Sequence, residues 1–97
     1  MRVTFDPDAR NDLDSIHTWI AKDSPRAALE MIARIEARVM QLETPELTHM
    51  GRPGLVEGTR ELLEYPYIIV YQVREDRDEI VILSIVHGAR NRESESE

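Results

Sequence analysis

The side chains in this chain that could do chemistry are carboxylates, arginines, three tyrosines and three histidines, His17, His49 and His87. His87 closes an apolar run and is followed by Gly88-Ala89-Arg90, so an imidazole and a guanidinium would both stand at a strand end. Such groups can move a proton near neutral pH and hold an anion, although plain strand termination explains the same residues equally well. His17 flanks the apolar stripe of a helix and His49 falls in a loop, where packing and solvent exposure are the ordinary roles. Arg60 and Glu61 are consecutive on a strand and face opposite ways. An inward Arg60 would require a buried carboxylate or carbonyl, and a structural ion pair is its ordinary role. Tyr65, Tyr67 and Tyr71 read by default as aromatics that bury the ring and keep the hydroxyl wet. Gly-x-Ser-x-Gly, a phosphate loop, a dinucleotide fingerprint and His-Glu-x-x-His are all absent. Without cysteine there is no thiolate nucleophile, disulfide or cysteine zinc site, and neither a metal nor a cofactor is expected.

Of the twelve basic residues only Lys22 is a lysine, and the arginines suit planar contacts with carboxylate or phosphate. Nineteen acidic residues bring the formal charge to −7, which speaks against non-specific nucleic-acid binding as a primary role. Direct sequence-specific DNA binding is not expected either. With 97 residues the chain has room for one core. No apolar run approaches the roughly 18 residues of a membrane span, and Asp6-Pro7 follows the start too soon for a secretory signal. A cytoplasmic protein without membrane contact is expected.

The elements that must position these groups are legible from periodicity. Val3 and Phe5 alternate with polar neighbours as a short strand. Asp6 as N-cap and Pro7 at the first position start a helix to about Lys22, with Ala9, Leu13, Ile16 and Ile20 on one stripe. Ser24-Pro25 repeats the signal for a second helix to about Leu42, and the short link makes an antiparallel hairpin. Residues 43–54, with Pro45, Gly51, Pro53 and Gly54, read as a loop long enough to suggest mobility or binding. Three strands follow, over 59–64, 67–74 and 79–87, joined by turns short enough to require antiparallel pairing. The unbroken runs Ile68-Ile69-Val70-Tyr71 and Ile80-Val81-Ile82-Leu83 imply cover on both faces, of which the helical hairpin supplies one. The remaining cover falls to the C-terminal segment or to a partner, and the tail from Arg90 to Glu97 is far too polar to serve.

The strand–helix–helix–three-strand order, with Gly58-Thr59-Arg60-Glu61-Leu62-Leu63, Pro66-Tyr67-Ile68-Ile69-Val70-Tyr71-Gln72-Val73 and the ending His87-Gly88-Ala89-Arg90, resembles the RelE/ParE superfamily of bacterial toxins and within it the ParE, or plasmid stabilisation, pattern. Asp12-Leu13, Trp19-Ile20 and Ser24-Pro25-Arg26-Ala27-Ala28 are similar too. The resemblance covers residues 1–92 as a single domain and leaves 93–97 as an acidic, disordered tail. It implies an α+β fold, β-α-α-β-β-β, with a mostly antiparallel sheet and the helical hairpin on one face. It also implies the toxin of a type II toxin–antitoxin module, hetero-oligomeric with a ParD-like antitoxin and directed at DNA gyrase. RelE-like members instead cleave mRNA on the ribosome and keep lysines and arginines on their second and third strands. Here Thr59 and Glu61 stand where those lysines are expected, and Ile68 where an arginine is expected. The transition-state charge of RNA cleavage therefore lacks most of its cations, and if the chain does cleave RNA, Glu61, His87 and Arg90 are the residual acid–base set. For target contact the candidates are Arg60, His87 and Arg90, and for antitoxin contact Tyr67 and Tyr71 on the sheet surface. Toxins of this superfamily are usually basic, so the charge of −7 also leaves open an antitoxin-binding module that no longer harms the cell.

Overall fold

The two helix starts form as their residue types predict. The Asp6 carboxylate accepts from the Asp8 N–H at 2.9 Å, and Pro7 opens helix α1, Pro7–Ala21. Ser24 accepts from the Ala27 N–H at 3.1 Å, and Pro25 opens α2, Pro25–Met40. The computed structural model describes residues 1–88, so Arg90 and the acidic tail lie outside the described residues.

The strands are β1 (Arg2–Phe5), β2 (Arg52–Pro53), β3 (Arg60–Glu64), β4 (Tyr67–Arg74) and β5 (Glu79–His87), in the spatial order β1-β5-β4-β3-β2. β1 runs parallel to β5 and every other pair is antiparallel. The fold is the expected α+β arrangement with the hairpin on one face. Leu13 and Ile16 of α1, Ile35 and Val39 of α2, and Leu42 meet Leu62, Ile69, Tyr71, Ile80 and Ile82 in one core. Each such aliphatic side chain, fully buried, contributes about 1.5–3 kcal/mol.

Two features were not legible in advance. The register steps from Val70↔Ser84 to Tyr71↔Ile82, leaving Leu83 as an extra residue in β5, so Ile80, Ile82 and Ile85 all face the helices across the bulge. Beside it, β1 ends opposite Ile82, and Asp12 of α1 takes over, its Oδ2 accepting from the Ile85 N–H at 2.8 Å. The stretch expected to be a loop is built instead from two 3-10 turns, Gln41–Glu43 and Pro45–Leu47, followed by the edge strand β2. Three-residue elements carry no periodicity to read.

On the sheet face away from the helices, Ile68 and Val81 are buried while Leu63 is half exposed. Side chains from α2 and the 3-10 turn after it meet both outer parts of the sheet. Glu43 Oε2 accepts from the Val3 N–H of β1 at 3.0 Å, and Arg38 Nε donates to the Leu63 carbonyl of β3 at 3.4 Å. Charged groups over free ladder positions discourage unplanned strand addition.

Candidate functional site

Strand alternation places Arg60 on the helix side of β3, directly opposite Tyr71 of β4. The Tyr71 ring is fully buried, its hydroxyl donating to the Thr48 carbonyl at 3.1 Å and accepting from the Gly51 N–H at 3.2 Å. Arg60 Nη2 donates to the carbonyls of His49, at 2.8 Å, and of Gly51. Thr48, itself buried, donates from its hydroxyl to the Leu42 carbonyl at 2.9 Å. Residues 48–51 are thus gripped from two strands and tied back to the 3-10 turn that follows α2. The expected ion pair at Arg60 is corrected to a pair of backbone carbonyls, the other partner an inward arginine can take.

Glu61 points to the opposite face. It is 4 % exposed, and Arg52 of β2 reaches its Oε1 with Nε at 3.2 Å and Nη2 at 3.2 Å. His87 pairs in register with Tyr67, on the helix side, and its exposed ring meets the Tyr67 ring edge-on at 5.6 Å. Glu61 lies level with Val70, three residues along β4 from Tyr67. That is about 10 Å along the strand, on the other side of the sheet. The described part of the residual acid–base set, Glu61 with His87, is therefore not assembled, and Arg90 is outside the described residues. Arg60 and His87 share a face but stand at opposite ends of the strands, level with Tyr71 and Tyr67.

The tyrosines expected to contact the antitoxin lie on the helix side of β4. Tyr67 and Tyr71 are 7 % and 0 % exposed and belong to the helix-side core. Alternation along β4 separates two faces but does not say which one the helices cover. Two shallow clefts, one along Gln72–Arg77 and one along α1 from Asp14 to Lys22, take in none of the predicted site residues. Among the described residues no group of three His, Asp or Glu side chains could hold a metal ion, and no helix is long and apolar enough to cross a membrane.

Several apolar side chains around β3 reach solvent. Leu63 is 53 % exposed and Tyr65 77 %, and at the tip of the β2–β3 hairpin Leu55 and Val56 are 48 % and 69 % exposed. Sequence reasoning passed over this pair, although two aliphatic residues bracketed by Gly54 and Gly58 are a visible signal.

Comparison with known proteins agrees with this architecture. The family model described as the ParE toxin of the type II toxin–antitoxin system, parDE, matches residues 3–92. The Sinorhizobium fredii protein named "Putative toxin Y4kP" is 39 % identical over 89 residues, covering 90 % of this chain and 88 % of its own. Among solved structures, the chromosomal ParDE toxin–antitoxin system from P. aeruginosa superposes with a TM-score of 0.77 at 31 % identity, covering 90 % of this chain and 95 % of that one. The toxin–antitoxin complex RelBE2 from Mycobacterium tuberculosis follows with a TM-score of 0.62 at 25 % identity, over 89 % of this chain and 95 % of that one.

Proposed function

This chain belongs to the ParE toxin family of type II toxin–antitoxin systems, and from that premise we propose that it arrests growth by binding and poisoning DNA gyrase until a cognate ParD-like antitoxin neutralises it. The observation that carries binding over cleavage is the separation of Glu61 from His87 by the sheet itself. General acid–base cleavage of a phosphodiester needs both groups within hydrogen-bond reach of one bond, with cations around it. Glu61 is instead engaged with Arg52 on the sheet.

The antitoxin, in this reading, covers the apolar side chains at Leu63 and along the face of the sheet away from the helices, in a hetero-oligomer formed in the cytoplasm. Slower hydrogen exchange in β3 and β4 on complex formation is the expected signature; unchanged exchange there overturns that placement.

The direct test adds purified, antitoxin-free protein to a gyrase supercoiling reaction. Dose-dependent loss of supercoiling with trapped, cleaved DNA is expected. Undiminished supercoiling at large excess rejects gyrase poisoning. A second reading, ribosome-dependent mRNA cleavage, draws on the likeness to RelBE2; cleavage of mRNA in a reconstituted translation reaction would establish it in place of the first. Inertness in both reactions, with antitoxin binding retained, would mark a non-toxic antitoxin-binding module.

A further inference from the structure

The β2–β3 hairpin ends in a tip closed by its own hydrogen bonds. The Gly54 N–H donates to the Thr59 carbonyl at 2.8 Å, closing the tip, and the Val56 carbonyl accepts twice from Thr59, from its N–H at 3.1 Å and its hydroxyl at 2.6 Å. A Cβ at position 54 would overlap the Thr59 hydroxyl, so that closure depends on glycine. Gly58 completes the turn at φ +87°, a conformation that other residues rarely adopt. Two glycines and a threonine are thus devoted to holding five residues in one shape. That shape turns Leu55 and Val56 outward, away from the core cluster, with Glu57 exposed beside them.

An aliphatic pair in mobile coil would bind little, because ordering the coil would consume the gain. A pair already fixed in place avoids that cost, and a few well-seated side chains carry most of the energy of a typical interface. We propose that Leu55 and Val56 form a preformed apolar finger that seats in a pocket of the protein this toxin poisons, with a cation at the pocket rim to meet Glu57. The inference rests on the toxin reading above and names the element that touches the target. Two neighbouring side chains make a point contact suited to a pocket, whereas a stable antitoxin complex needs extended area, on the order of 800 Å² per partner. Leu63, half exposed, stands on the sheet face away from the helices, outside this tip.

The test compares the full chain with the double variant Leu55→Ser/Val56→Ser and with Glu57→Lys. The readouts are growth arrest on induction, gyrase supercoiling, thermal unfolding and capture by a co-expressed ParD-like antitoxin. The double variant is expected to unfold at an unchanged temperature and bind antitoxin as the parent does, while losing about tenfold or more in potency. Glu57→Lys should lose potency less, by charge alone. Full potency in the folded double variant overturns the finger and leaves the toxin reading standing. Lost antitoxin capture with potency retained also overturns it, assigning the tip to the antitoxin. If the parent arrests growth but spares gyrase, the finger is judged on growth arrest and only the gyrase assignment falls. If the parent arrests nothing, the toxin reading and the finger fall together.

Discussion

Tyr71 and Arg60 divide one task, the holding of residues 48–51, and their separate contributions can be measured. The Tyr71 hydroxyl bridges Thr48 and Gly51 inside a fully buried site. Tyr71→Phe keeps the ring and removes the bridge, leaving a buried carbonyl and an N–H short of a partner; the expected loss is about 1–3 kcal/mol in urea unfolding. Arg60→Met keeps much of the side-chain volume and releases the carbonyls of His49 and Gly51, for about 1–2 kcal/mol. Because both grips close on Gly51, the double variant should cost less than the sum of the two. Strict additivity would mean that the strands hold the segment independently.

At the scale of elements, the joint between α1 and β5 depends on Asp12. Its carboxylate replaces a missing strand neighbour for the Ile85 N–H at 2.8 Å, just beyond the end of β1. Asp12→Ala is expected to cost about 1.5–3 kcal/mol, as for a hydrogen bond to a charged group, and to speed amide exchange at Ile85 more than at Ile80. Equal exchange at both positions would mean that α1 packs on the sheet without this bond. Asp12 also illustrates what the chain discloses before folding. Both helices and the three long strands were readable because caps such as Asp6 and Ser24 and the apolar spacing act within a few residues. The parallel pairing of β1 with β5, the bulge at Leu83 and the grip on residues 48–51 join positions far apart in sequence, so no local pattern records them. For the site the division is sharper. Alternation correctly set Arg60 and Glu61 on opposite faces, but only the packed molecule reveals that Tyr67 and Tyr71 face the helices and that Glu61 and His87 are separated by the sheet.

For the molecule as a whole, the formal charge of −7 constrains how any partner is recruited. Several arginines are already paired within the chain: Arg34 with Glu64 at 2.8 Å, Arg38 with the same carboxylate at 3.9 Å, and Arg52 with Glu61 at 3.2 Å. These cations are partly neutralised locally, so an acidic antitoxin would meet net repulsion at long range, and cohesion would fall to apolar contacts such as those available at Leu63. Salt separates this arrangement from attraction between opposite charges, because the screening length shrinks from about 10 Å at 0.1 M to about 3 Å at 1 M. The antitoxin complex is expected to keep its Kd within about threefold between 0.1 and 1 M sodium chloride, or to tighten as repulsion is screened. Calorimetric titration across that range checks it. Weakening by orders of magnitude would show that opposite charge holds the complex together; the partner would then be basic, and the apolar face would not be its main dock.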